Sequence, residues 1–279
     1  MSDSKQRNRI GQAFHRHAGE YDRHAVVQKQ VAAKLVSLVE RQVPAEPGRL
    51  LDIGCGTGAL LSALRGSFPA TRLYGVDLAF NMALHSRERL GETATIVNAD
   101  AEVLPFRSGS FDLVVSASTL QWLPRLNSCL AECRRVLAPG GILCLAFFGG
   151  KTLWELQESY RKSLTSRYGE DDERIARLHR FRQCRDVEQA LEGMDFEQVM
   201  VASEIEMEFH PDVKTVLRSI KGVGAATASR SDSRGGLGWR ATLNDMSDYY
   251  QEHFSRDGLI PVTYEVIYVV AHGGKSAVQ

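Results

Sequence analysis

The residues best equipped for chemistry fall in one short run, Leu51-Asp52-Ile53-Gly54-Cys55-Gly56-Thr57-Gly58. Its three glycines lie between an apolar run at 49–54 and a helix-like run at 58–66. A glycine-rich turn between a strand and a helix lets a ligand rest on bare backbone, which a Cβ would hold away. In open α/β sheets such a turn lies at the carboxyl ends of the strands, where ligands bind. The turn alone suits several nucleotides: read as Gly54, Gly56 and Ala59, it overlaps the dinucleotide fingerprint. No Lys follows the glycines, which excludes a P-loop. Asp77 stands 19 residues beyond Gly58, at the end of the next apolar run. A carboxylate there accepts hydrogen bonds from both hydroxyls of a ribose.

Three further features separate the ribose-bearing ligands. Asp52 puts an acid just before the glycines, where dinucleotide-binding strands are normally apolar. Asp100 ends the third apolar run and is followed by Ala101-Glu102, a carboxylate beside a backbone N–H that can read an adenine edge. RRVLAPGGIL (134–143) follows the fourth run. As plainer alternatives, Asp52 is a turn carboxylate and Asp100 a cap on the next segment. Taken together, residues 49–148 resemble the class I S-adenosylmethionine-dependent methyltransferases. The resemblance implies S-adenosylmethionine as cofactor and an α/β fold, with a doubly wound, mostly parallel, Rossmann-like sheet of seven strands. The last strand is then antiparallel, and helical insertions interrupt the pattern. The expected cofactor-binding set is Asp52, Gly54, Cys55, Gly56, Gly58, Asp77, Leu78, Met82, Asp100, Ala101, Glu102 and Ser116. Cys55 reads as a small filler rather than a reactive thiol.

The acceptor side is written in the ends of the chain and in the loop after the fourth strand. A helical lead-in carries Phe14, Tyr21 and Gln28, and Ser116-Ala117-Ser118-Thr119-Leu120-Gln121-Trp122-Leu123 follows strand four. Beyond strand five come Lys151-Thr152-Leu153-Trp154-Glu155-Leu156 and Phe181, and later Leu217-Arg218-Ser219-Ile220-Lys221-Gly222-Val223-Gly224-Ala225. Over nearly its full length the chain is similar to the malonyl-acyl-carrier-protein O-methyltransferase family of biotin synthesis. One departure is Ala226, where members often have Asn.

That resemblance implies methylation of the free carboxylate of a malonyl thioester, on acyl carrier protein or coenzyme A. A carboxylate is costly to bury in pockets shaped for alkyl chains, and the ester removes its charge. Malonyl carboxylate is already ionised at pH 7, so no general base is needed. Orientation and desolvation remain for the enzyme, with the oxygen held about 3 Å from the methyl. Tyr21, Gln121 and Trp122 are the expected catalytic residues, with Lys221 or Arg185 holding the anion. Each has a plainer reading, as core packing or solvated surface. Acyl carrier protein is acidic, and Arg174, Arg177, Arg180, Arg182 and Arg185 follow Glu173 without an intervening acid, after Arg161, Lys162 and Arg167. Arg177, Arg182 and Arg185 are the expected docking residues; local charge of this kind steers an acidic partner. The rival readings are a carboxylate methyltransferase of a small free acid, of trans-aconitate type, a quinone or small-molecule C-methyltransferase, a non-catalytic S-adenosylmethionine-binding protein and an NAD-dependent dehydrogenase.

These residues need a scaffold, and the patterning supplies one. Short apolar runs at 49–54, 72–77, 93–100, 111–118 and 141–148 alternate with helical runs at 58–66, 80–91 and 125–137, the mark of βαβ units and a covered parallel sheet. After Gly149-Gly150 the chain is charged and helix-like to 185, then gives a helix at 186–194, an alternating strand at 196–209 and a strong final strand at 261–272. The expected organisation is a single methyltransferase domain over 1–279. It comprises an N-terminal helical lid (1–45), the cofactor core (46–150), a basic helical insertion (151–185) and a second insertion (211–258). The 279 residues carry 34 Lys+Arg against 34 Asp+Glu, so no bulk charge supports nucleic-acid binding. No apolar run reaches the roughly 18 residues that span a bilayer. Five cysteines without a CxxC pair, and no secretory-type leader, point to free thiols in the cytoplasm and to no metal site.

Overall fold

The computed structural model describes residues 3–176, 178–223 and 237–274. Seven strands, β1 (Arg49–Ile53), β2 (Arg72–Asp77), β3 (Ala94–Asn98), β4 (Phe111–Ala117), β5 (Leu137–Phe148), β6 (Phe196–His210) and β7 (Ile260–Gly273), form one sheet. Their order is β3-β2-β1-β4-β5-β7-β6. The first five pair in parallel, and β7 is antiparallel to both β5 and β6. The winding direction reverses between β1 and β4. A crevice opens there at the carboxyl ends of the strands, and the glycine turn lies beside it.

Strand residues alternate between two cores, because successive side chains of a strand point to opposite faces. Leu113 and Val115 pack with Leu35 of α2 (Val26–Gln42) and Leu61 of α3 (Ala59–Ser67). Val114, between them, packs with α5 (Leu126–Val136) on the other face. On α5 the buried residues Leu126, Cys129, Leu130, Cys133 and Val136 follow helical spacing. Cys129 and Cys133 are therefore core side chains. Helix α4 (Phe80–Leu90) closes the second βαβ unit.

Two details differ from the sequence expectation. Strand five is expected to start at 141, after a helical run to 137, but Leu137 already pairs with Phe111, and Ile142 resumes the ladder opposite Leu113. The extra residues form a bulge, with Gly140 in the left-handed region at φ +72°. The arginine-rich run is also not one helix. After α6 (Trp154–Tyr168) and the short α7 (Glu173–Ala176), residues 178–183 are non-helical, and α8 runs from Cys184 to Leu191. Gln183 starts α8 through a capping box with Asp186.

Among the described residues, α1 (Asp3–His24) and α2 precede the sheet, and α9 (Val213–Gly222) and α10 (Leu237–Phe254) lie between β6 and β7. Helices α6 and α10 are tied by Ser163 Oγ donating to Thr242 O at 2.7 Å and by an Arg167–Asp245 ion pair. No helix among the described residues is long and apolar enough to cross a membrane.

Candidate active site

The glycine turn is held by its own backbone. Gly54 and Cys55 both donate to Val76 O, at 2.8 and 2.9 Å. Gly54 has φ +71°, and a Cβ there would lie 2.3 Å from the Thr119 side chain. Gly56 has φ +54° and would meet nothing within 4 Å, so its bare backbone faces open cavity. Gly58 ends the turn as the residue before α3 and does not line the cavity. Cys55 sends its thiol into the core against Gly75, where burial and the carboxylates of Asp77 and Asp52 push it well above the ordinary thiol range.

Asp77 accepts from Gly56 N at 2.9 Å and Ala79 N at 2.8 Å. Burial outweighs these bonds and pushes its pKa up to about 6. Asp52 is buried, its Oδ1 has no partner among the described residues, and desolvation, then Asp77, raises it well above the usual carboxylate range. A buried polar atom left unpaired is costly, and here it borders the cavity on the glycine turn.

Two cavities lie against this turn, and a third shares lining residues with both. One of about 100 Å³ lies against Gly54, Gly56, Asp77, Leu78 and Met82, and reaches Asp100 and Ala101. A second, of about 60 Å³, is lined by Asp52, Cys55, Thr57 and Gln28. A third, of about 300 Å³, is mostly apolar and lies between α1, α2, the loop after β4, α6, α9 and α10. Tyr21 and Ser118 line all three spaces. Gln121 lines the large chamber, while Trp122 lines both it and the cavity at Asp77.

Each junction residue is positioned from outside. Tyr21 is carried by α1, whose next residue, Asp22, accepts from Thr57 Oγ1 at 2.7 Å and pairs with Arg89 of α4. Burial, then the charges of Asp77 and Asp22, raise the Tyr21 pKa, so its hydroxyl stays a donor. Ser118 has φ +55°, an uncommon conformation for a residue with a Cβ, fixed by its N–H donating to Ala146 O at 2.7 Å. Gln121 donates from Nε2 to Ser118 O at 2.7 Å, and its Oε1 has no partner among the described residues. Trp122 packs edge-on to Phe14 at 5.7 Å between ring centroids.

Several expected residues stand elsewhere. Ser116 points away from the crevice and donates to Ile53 O at 2.6 Å, tying β4 to β1. The serine two residues later lines the cavities instead. Glu102 is turned away from the cavity and bound by Arg125 through N at 3.0 Å and Nε at 2.8 Å. Arg182 is half-buried and donates to Leu123 O at 2.6 Å and Leu120 O at 3.3 Å, so it braces the acceptor loop rather than offering a docking charge. Arg161, Arg167 and Arg174 pair with Glu158, Asp245 and Asp172. Arg180, Arg185 and Lys221 are exposed, and neither Arg185 nor Lys221 lines the chamber. Arg177 and residues 224–226 lie outside the described residues. Thr152, Trp154 and Glu155 form a clamp onto β7: Thr152 Oγ1 donates to Glu265 O at 3.1 Å, Trp154 Nε1 to Thr263 Oγ1 at 3.2 Å, and Glu155 accepts from the Thr263 hydroxyl.

A family model described as a methyltransferase domain matches residues 51–145. The structure of Haemonchus contortus phosphoethanolamine N-methyltransferase 2 superposes with a TM-score of 0.55 at 19% identity, over 87% of this chain and 53% of that one. The sheet order and the glycine cradle define a class I S-adenosylmethionine-dependent methyltransferase. A malonyl-[acyl-carrier protein] O-methyltransferase of Geobacter sulfurreducens is 45% identical over 268 residues, covering 95% of this chain and 98% of the relative. One from Brevibacillus brevis is 35% identical over 272 residues, covering 95% and 96%. The chain belongs to the malonyl-acyl-carrier-protein O-methyltransferase family.

Proposed function

We propose that this enzyme converts the free carboxylate of a malonyl thioester, carried by acyl carrier protein or coenzyme A, to its methyl ester, the entry step to the pimeloyl chain of biotin. When bound, S-adenosylmethionine would supply an electrophilic methyl on a sulfonium, whose CH3–S bond breaks as a carboxylate oxygen takes the methyl, so that neutral S-adenosylhomocysteine leaves and no proton moves. Asp77 would hold the ribose, Asp100 and Ala101 the adenine, and the bare backbone at Gly56 would admit the chain between them. Asp52 Oδ1, without a partner among the described residues, would accept from the methionyl ammonium. Residues 1–45 act as the lid, latched through Asp22 to Thr57 and Arg89.

The observation that carries this reading is the junction. The cavity at the glycine turn and the apolar chamber share Tyr21 and Ser118 as lining residues, and methyl and acceptor would meet there. The chamber suits an acyl thioester arm better than a small polar acid, since Leu156, Phe181, Leu217 and Ile220 line its walls. Tyr21, kept protonated, orients the acceptor as a donor, and no base is required. Gln121 fixes Ser118, and Trp122 walls the acceptor side. The exposed Arg180 and Arg185, with Lys214, Arg218 and Lys221 along α9, offer charge to an acidic carrier protein. With that partner the reaction belongs in the cytoplasm.

Incubation with labelled S-adenosylmethionine and malonyl, succinyl or acetyl thioesters tests the assignment. Base-labile label is expected on malonyl thioester and none on acetyl. Label on free aconitate, with none on malonyl thioester, contradicts it.

A further inference from the structure

We propose that the substrate carboxylate is gripped by neutral donors, the imidazole of His179 together with the Ser118 hydroxyl, rather than by a cation. This deepens the functional reading above and rests on it.

Three buried polar atoms around the large chamber have no hydrogen-bond partner among the described residues: Ser118 Oγ, Gln121 Oε1 and His179 Nε2. All three residues line that one chamber. A folded protein rarely leaves buried polar groups unpaired, and a ligand in that cavity can pair with them, although Gln121 Oε1 only accepts and gains nothing from a carboxylate. Ser118 and His179 can both donate, as a carboxylate requires.

His179 is held for this task. Its ring lies 5.5 Å from Trp122 and 4.4 Å from Phe181 between centroids. Arg182, three residues on, ties this segment to the loop that carries Gln121 and Trp122. Burial, then the charge of Arg182, lowers the His179 pKa, so the ring is neutral at pH 7.

Among the described residues, the Arg and Glu side chains that line the chamber, Arg174 and Glu208, are already engaged. Arg174 is bound by Asp172 through Nε at 2.8 Å, and Glu208 pairs with His210 at 3.2 Å. That arrangement suits this chemistry. Anion and sulfonium neutralise each other on transfer, so a full cation on the carboxylate would stabilise the ground state more than the transition state. Neutral donors orient the oxygen and leave it nucleophilic.

The test compares His179→Phe, His179→Gln and His179→Lys, with melting temperature and S-adenosylmethionine Kd measured for each. His179→Phe keeps the ring and should raise the KM for malonyl thioester about 10- to 100-fold, the loss of one hydrogen bond to a charged acceptor. Cofactor Kd should not change. His179→Gln restores a neutral donor and should recover part of the loss. His179→Lys should lower kcat about tenfold or more while binding substrate at least as tightly. An unchanged KM in His179→Phe, or an undiminished kcat in His179→Lys, overturns the proposal. If His179→Phe does not fold, His179→Gln and His179→Lys decide: equal kcat in the two overturns it. Wild-type transfer to malonyl thioester with an unaffected His179→Phe removes only this assignment. Absence of wild-type transfer removes the functional reading itself.

Discussion

The two halves of the active site are built differently. The cofactor half stands on consecutive βαβ units, and its key groups are backbone atoms and carboxylates at strand ends. The acceptor half is assembled from helices before β1, between β5 and α8, and between β6 and β7, which meet only over the sheet. Backbone position in the first half follows from local turn chemistry. In the second, each side chain depends on long-range packing: Tyr21 on the Asp22 latch to Thr57 and Arg89, His179 on Trp122, and Arg182 on the loop at 120–123. Changes in the cofactor half should therefore act on cofactor affinity, and changes in the acceptor half on substrate parameters.

The largest effect is expected at Gly56. Gly56→Val puts a branched side chain into the open cradle at a positive φ, and strain and exclusion act together there. Calorimetry should show S-adenosylmethionine affinity reduced by about 100-fold or more, about 2.7 kcal/mol. Retained affinity would break the comparison at its firmest point.

The next is a pH dependence. Asp77, pushed up to about 6 in the ligand-free protein, protonates below that pH and, in its proposed role, would then be a poorer ribose acceptor. Cofactor affinity should fall by up to about tenfold per pH unit between pH 6 and 4. The same group acts oppositely on stability. Its folded pKa lies above its unfolded value, so the folded state binds more protons between pH 4 and 6. Its contribution therefore favours folding increasingly as pH drops through that window. Asp77→Asn should flatten both the affinity profile and this part of the stability profile. Unchanged slopes in the variant would assign them to other groups.

The smallest effect concerns docking. Reversing the exposed Arg180 and Arg185 together to Glu should raise the KM for carrier-protein substrate several-fold, more at low salt, and leave coenzyme A thioester alone. Equal changes with both substrates would remove this surface from the account.

The contrast also explains what could be read from the chain alone. Strands β1, β2 and β4, the glycine turn and the position of Asp77 and Asp100 on its cavity were legible because alternation, glycine spacing and strand ends are local signals. Ser116 and Ser118 show where this stops. Both follow the same strand, but the positive φ at Ser118 decides which hydroxyl reaches the cavity, and no composition rule reports that angle. Glu102 and Arg182 failed differently: each finds a partner 23 or 59 residues away in sequence, which removes it from the expected role. His179 stood in a run of arginines whose charge suggested a surface, while burial against Trp122 and Phe181 turned it inward.

The central claim is that cradle and chamber meet at Tyr21 and Ser118. A crystal structure with S-adenosylhomocysteine and a malonyl thioester analogue tests it directly. The account predicts the ribose on Asp77, the sulfur facing the gap between Tyr21 and Ser118, and the malonyl carboxylate across that gap in the large chamber. A ribose away from Asp77, or a carboxylate bound outside the chamber, would contradict it.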